Sequence, residues 1–338
     1  MRYLTIILFL LLTATATHAQ QFGTEWMTSP SPNDSSCLWF RRTFVAKDAT
    51  ERPVRASVCV ATASRFILYV NGRNVSTALY SNPQHHNTAS PHTSTTPHNT
   101  TSPYTTTPSS ITFDVTRFLR PDSNTVAVLA CPATHQVQSN CHAASPQMSI
   151  SFFGTTGSRR PFAYSSADGW LCRQASTSLT IDGELMNGRA DDLPPAYGDM
   201  AIAQWHPATI VTATEGSPVK DCGVDAESLF GCRRARRNPL DGNAVREWRI
   251  LRPRYFDVDR RTIAYDFAPG FCGFVRVTLR GCRRGERIRI GNLTYICSGD
   301  IDEQAFTRFA PLSARKIIIT GDRWFRPEQV QEVEAVCI

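Results

Sequence analysis

The chain has 338 residues, enough for about two domains. With 41% hydrophobic and 19% charged residues, 19 glycines and 21 prolines, it is not a collagen-like, coiled-coil or globally disordered polypeptide. Lys and Arg outnumber Asp and Glu by 36 to 29, and a net charge of +7 is too mild for a dedicated nucleic-acid binder, so no nucleic-acid partner is expected.

Residues 1–19 read as a secretory signal peptide. Arg2 supplies a positive start, Leu4–Leu12 is apolar apart from Thr5, and Thr17 and Ala19 place small residues before a cleavage site. That run is too short to span a bilayer, and no later segment reaches membrane-spanning length, so a periplasmic or secreted location is expected. Export permits disulfides. The eleven cysteines are odd in number, so at least one is left over or pairs with another chain. Cys131/Cys141, Cys222/Cys232 and Cys272/Cys282 share one spacing, which suits a stapled hairpin; the same residues also suit a core as small hydrophobes. No C-x-x-C occurs, which argues against zinc ribbons and thioredoxin-type redox chemistry.

The elements are mostly strands. Ala56–Ala63 and Arg65–Val70 are apolar and β-rich, and Asn71-Gly72 then signals a type I′ hairpin with a return strand from Val75. In residues 81–110 only Gln84, Ala89 and Tyr104 are not Ser, Thr, Pro, His or Asn. Two tandem units, His86–Pro97 and His98–Pro108, make it a mobile loop or glycosylated stalk by composition. His85, His86, His92 and His98 lie there without neighbouring carboxylates, so no metal site is assigned. Ile111, Phe113 and Val115 alternate, Thr116–Leu119 suits one helical turn, and Thr125–Ala130 and Met148–Phe152 are further strands. Asp221–Asn243, within a linker over 221–250, carries Arg233, Arg234, Arg236 and Arg237 with no interleaved aromatics, the pattern of a solvated connection. Val275, Val277 and Leu279 alternate up to Gly281; Ile288–Ile290 and Ile317–Ile319 follow. Glu328–Val336 suits a short helix by composition and a strand by alternation. Many short strands between turn signals predict an all-β protein of sandwich type.

Catalytic motifs are scarce. The sequence holds no G-x-S-x-G, H-E-x-x-H, P-loop or G-x-G-x-x-G. Beyond the leader and the repeat, the histidines are His135, His142 and His206, thin material for a nucleophilic site. Asp191-Asp192 and Asp300–Glu303 are the tight acidic clusters. The second suits either calcium from one turn or a hydrated loop. Trp26, Trp39, Tyr69, Tyr80, Trp170, Trp205, Trp248 and Trp324 are spread along the chain; aromatic faces stack on sugar rings, but in sandwiches most such residues are core, and core is the reading expected for each.

Two blocks carry a family resemblance. Trp39–Phe44, Arg65–Arg73, Phe113–Leu119 and Asn124–Val128, continued by Trp170–Arg173, Asn187–Arg189 and Trp205–Ala208, resemble the N-terminal jelly-roll module of bacterial α-L-rhamnosidases. The run Tyr265-Asp266-Phe267-Ala268-Pro269-Gly270-Phe271-Cys272-Gly273-Phe274-Val275-Arg276-Val277 is similar to the opening of their next, concanavalin-like sandwich. Gly270 and Gly273 would permit tight backbone there. The resemblance implies two antiparallel β-sandwiches: a jelly-roll, galactose-binding-like domain over 20–220 and a concanavalin-like domain over 251–338. In that family an (α/α)6 barrel after these sandwiches carries the chemistry, so no catalytic residue transfers to this sequence and no cofactor or metal is implied. Asp221-Cys222 is not followed by the family's acidic motif.

The function expected is an exported, non-catalytic carbohydrate-associated protein that binds a plant or microbial rhamnose-containing glycan or packs on a separate catalytic chain. Its alternatives are a truncated or split α-L-rhamnosidase and a structural surface or adhesion protein. Arg73 and Tyr80, on the hairpin beside the repeat loop, are nominated as carbohydrate contacts: a guanidinium for hydroxyls and a ring for stacking.

Overall fold

Apolar residues at period two build the first sandwich. A computed structural model of the protein describes residues 25–30, 36–75, 108–132, 146–180, 182–189, 205–212, 219–224 and 249–337. The leader, Tyr80, nearly all of the repeat, Asp191-Asp192, Trp248 and residues 225–248 of the linker lie outside the described residues. The strands in chain order are β1 (Glu25–Thr28), β2 (Ser36–Val45), β3 (Pro53–Thr62), β4 (Arg65–Val70), β5 (Arg73–Asn74), β6 (Ser109–Asp114), β7 (Ser123–Cys131), β8 (Met148–Thr156), β9 (Pro161–Tyr164), β10 (Leu171–Thr180), β11 (Gly183–Asn187), β12 (His206–Pro207), β13 (Thr209–Thr212) and β14 (Lys220–Val224). One sheet runs β13-β1-β8-β3-β6-β14; facing it are β10-β2-β7-β4-β5. Val58, Val60, Phe113, Ile150 and Phe152 of the first layer meet Leu38, Phe40, Leu68, Val126 and Val128 of the second.

Asn71 and Gly72 have φ of 53° and 77°, the two left-handed positions of a type I′ turn. The return strand therefore begins directly at Arg73 instead of Val75. Asn71 also anchors the hairpin: its amide donates to Phe118 O and Asn124 Oδ1, and its carbonyl oxygen accepts from Thr125 N. The helical turn predicted after Val115 is a 3-10 turn, Thr116–Phe118.

The second sandwich consists of β15 (Arg249–Leu251), β16 (Tyr255–Asp259), β17 (Thr262–Arg280), β18 (Arg287–Ile290), β19 (Leu293–Ile296), β20 (Asp302–Phe306), β21 (Leu312–Gly321) and β22 (Val330–Cys337). Its organising element is the 19-residue β17. The Thr262–Asp266 half pairs with β16 and β21; the Gly273–Arg280 half pairs with β22 and β20. Between the halves the register with β21 shifts by a bulge between Asp266 and Phe271, and β21 pairs on both sides of it. Gly273 is required just after this bulge, because a Cβ there would lie 2.0 Å from Val336 O of β22. Ile263, Phe267, Val277, Ile290, Ile319 and Val333 fill the core between the layers. Of the two readings open for Glu328–Val336 the strand wins after a single 3-10 turn, Pro327–Gln329, because Val333 and Ala335 bury on that core.

The two sandwiches share a sheet. β11 pairs in parallel with β19, which makes one 15-stranded sheet across both cores. A second parallel pair, β6 with β14, uses Lys220–Val224 at the head of the linker as an edge strand. The remaining pairings among the described residues are antiparallel. At the junction Glu184 is 1% exposed and accepts the backbone N–H groups of Arg308, Phe309 and Ala310 at 2.9–3.2 Å. Arg65 donates to Phe309 O, and Asn292 Nδ2 donates to Ala310 O at 3.0 Å. Phe309 is thereby driven onto the outer face of the first sandwich, among Cys37, Trp39, Leu129, Cys131 and Trp205. This explains why every residue of β7 is buried: Val126, Val128 and Ala130 face the facing sheet, while Ala127, Leu129 and Cys131 lie under Phe309 and Trp205.

Cysteine pairing departs from the spacing pattern. Cys131 is bonded to Cys37, its neighbour on β2, and so is not paired with Cys141. Cys272 is exposed and Cys282 buried, and the two are not bonded. Cross-strand proximity, which equal spacing does not encode, decides these partners.

Candidate functional site

Arg73 projects from β5 at the exposed hairpin tip. Tyr80, its nominated companion, lies outside the described residues. Most of the tryptophans serve the core. Trp39 and Trp170 are fully buried, and Trp170 Nε1 donates to Ser165 O at 2.9 Å. Trp205 is held between Arg41 and Arg173, each guanidinium carbon 4.9 Å from its ring centre. Trp324 is 38% exposed and carries Arg323 over its ring.

The Asp300–Glu303 segment is a wired turn. Glu303 accepts the Tyr295 hydroxyl at 2.8 Å and the backbone amides of Ser298 and Gly299. Asp302 pairs with Arg280 at 2.6 Å, and Asp300 accepts the Ser298 hydroxyl at 2.7 Å. Its carboxylates therefore serve this segment's own amides and hydroxyls and one arginine.

The outward face of the second sandwich has a different character. Tyr255, Asp266 and Lys316 are cross-strand partners on β16, β17 and β21, so their side chains share one face. Asp257, Ala264 and Ile318 form the next row on that face, and Arg289 extends it on β18. Tyr255, Asp257, Lys316, Ile318 and Arg289 are all exposed. At one corner the Tyr255 hydroxyl donates to Asp266 Oδ2 at 2.6 Å, Arg315 Nε donates to Oδ1 at 3.3 Å, and the Ala268 amide donates to Oδ1 at 2.8 Å. The Tyr255 hydroxyl, followed by the Ala268 amide and Arg315, holds the Asp266 carboxyl at about 2. The same hydrogen bond raises the Tyr255 phenol above its ordinary value.

This corner exposes a ring face and a guanidinium side by side, held in place by the buried Asp266 carboxylate, which is 1% exposed. Such groups stack on pyranose rings and hydrogen-bond hydroxyls. Asp266 stays ionised across physiological pH and holds no proton to donate as a general acid. Its depressed value also makes a stability signature. The contribution is fully present above the unfolded aspartate value near 3.8 and is lost as pH falls through about 2. Acid unfolding of the Asp266→Asn variant, followed by circular dichroism, should lose that part of the pH dependence between pH 4 and about 2. An acid limb identical to that of the parent would refute the assignment. Motif reading missed Tyr255 and Arg315, although Tyr255, Asp257 and Asp259 alternate with Phe256 and Val258, a weak strand signal next to the linker.

The described residues form an all-β pair of sandwiches that share one sheet. Among solved structures, α-L-rhamnosidase from Dictyoglumus thermophilum superposes with a TM-score of 0.65 at 15% identity over 94% of this chain and 36% of that enzyme. The Aspergillus terreus α-L-rhamnosidase gives 0.65 at 13% identity over 93% and 36%. The Streptomyces avermitilis enzyme, solved with L-rhamnose, gives 0.64 at 16% over 91% and 29%. The chain thus has the fold of about a third of an α-L-rhamnosidase, consistent with the N-terminal sandwich region to which its motifs pointed. No family model and no curated protein sequence matches it.

Proposed function

We propose that this chain is an exported, non-catalytic carbohydrate-associated protein built on the sandwich region of the α-L-rhamnosidase fold. The observation that carries this reading is the superposition of nearly the whole chain on α-L-rhamnosidases, one of them holding L-rhamnose. The use made of its carboxylates supports it: Glu184, Glu303, Asp266 and Glu334 are engaged by backbone amides, hydroxyls or arginines that fasten the fold. The leader and the Cys37–Cys131 bond support export. A rhamnose-containing glycan is the proposed ligand, with Arg73 and Tyr80 as contacts at the hairpin and Tyr255 and Arg315 as contacts on the outer face.

A glycan array with purified protein is expected to retain rhamnose-containing oligosaccharides, while an aryl α-L-rhamnoside is left uncleaved. Cleavage that co-purifies with the protein would overturn the non-catalytic reading. Empty arrays would favour a structural surface protein. In titrations, Arg73→Ala and Tyr80→Ala weaken binding if the hairpin holds the sugar; Tyr255→Ala does so if the outer face holds it. Unchanged affinity in all three variants would remove both sites. A second reading is a truncated or split α-L-rhamnosidase; the chain spans 36% of the length of the Dictyoglumus thermophilum enzyme. Hydrolysis that appears only on mixing with a separate catalytic chain would establish the split form.

A further inference from the structure

We propose that Cys282 and Cys297 are joined by a disulfide formed as the chain folds, cross-linking the end of β17 to the end of β19. Both are buried thiols in the core of the second sandwich, with Sγ atoms within 4.8 Å of one another. The backbones that carry them run in contact. The Gly285 amide donates to Cys297 O at 2.9 Å, and the Cys297 amide donates to Glu286 O at 2.9 Å. At Gly299 a Cβ would lie 2.8 Å from Arg284 Cβ. The turn after β17 and the segment after β19 thus form one tight unit, which keeps the two sulfurs close to one another.

A carboxylate oxygen of Glu303 lies within the same 4.8 Å, so the cluster also has the composition of a metal site. The hydrogen bonding favours the disulfide. Both Glu303 oxygens are already taken, one by Tyr295 and Ser298 and the other by Gly299. The hydrogen bond from Cys282, with burial, pushes the Cys297 thiol far up, which disfavours it as a ligand thiolate in the closed core. The cross-link would brace β18 and β19, and β19 is the strand through which the second sandwich joins β11 of the first.

The oxidant is a low-molecular-weight disulfide such as oxidised glutathione. One cysteine thiolate attacks it, its S–S bond breaks, and one glutathione leaves as the thiol. The second cysteine loses its proton and attacks the mixed disulfide, releasing a second glutathione; two protein thiols are oxidised and one glutathione disulfide is reduced. The buried thiols are reached before the core closes, so the step belongs to folding.

The inference rests on the export reading for its oxidant in the cell, and the test is independent of compartment. Reduced, denatured protein is refolded with oxidised and reduced glutathione, free thiols are alkylated after denaturation, and the digest is analysed by mass spectrometry. Trypsin releases Gly281–Arg283 and Ile290–Arg308 as separate peptides. The expected product is the two joined, two hydrogens lighter than their sum. The oxidised protein should melt roughly 5–10 °C above a Cys282→Ala/Cys297→Ala variant. Alkylation of both cysteines, linkage of Cys282 to Cys272 or another partner, or stoichiometric zinc retained by the two thiols would each overturn it. If the cross-link forms in the tube but both thiols are free in protein from its native source, the export reading fails and this one stands.

Discussion

Glu184→Ala is expected to destabilise the protein by about 3–5 kcal/mol, because a single buried carboxylate is the acceptor for three amides of the neighbouring sandwich. Burial pushes its carboxyl above the usual range, and the amides of Phe309, Arg308 and Ala310 pull it back. With the side chain gone those amides keep their desolvation and lose their partner. Phe309, seated among Trp39, Leu129 and Trp205, is then no longer aimed at the first sandwich. Urea unfolding followed by tryptophan fluorescence should show a lower midpoint and a separate transition for each sandwich. Glu184→Gln, which retains an acceptor oxygen, should recover part of the loss. A midpoint within error of the parent would show that the junction is held by β11/β19 pairing alone.

Removing the Cys37–Cys131 bond is the second large effect. The two cysteines are 94 residues apart in sequence, and a closed loop of that size restricts the unfolded chain by about 4–5 kcal/mol on the chain-entropy account. The Cys37→Ala/Cys131→Ala variant should therefore melt roughly 10–15 °C lower. In the parent, reductant should act only once the protein is partly unfolded, since both sulfurs lie beneath Trp39, Trp205 and Phe309. A variant with an unchanged melting temperature would show that packing of the outer face, and not the cross-link, holds β2 to β7.

The fold and the candidate site were legible to different degrees. The hairpin at Asn71-Gly72 was readable because both positions need left-handed backbone that these residue types tolerate. The Tyr265–Val277 motif was readable because Gly273 meets a carbonyl where no side chain fits. The Tyr255–Asp266–Arg315 corner was not readable. Its members are 11 and 49 residues apart, and only the pairing of β16, β17 and β21 brings them together. Arg73 could be placed from sequence because it adjoins a turn signal, and it is indeed exposed at the hairpin tip.

Alternation and turn chemistry are local properties, so the sequence by itself determined an all-β chain, the course of its main strands and its likeness to α-L-rhamnosidase sandwiches. Tertiary structure alone decided which cysteine meets which, that β11 reaches across to β19, and that the outer face of β2 and β7 is covered. Each of these depends on groups distant along the chain being brought within bonding range. Glu184 shows why: nothing in its own segment marks it as different from a surface glutamate. Its role arises only because the amides of residues 308–310 arrive beside it in a site from which water is excluded.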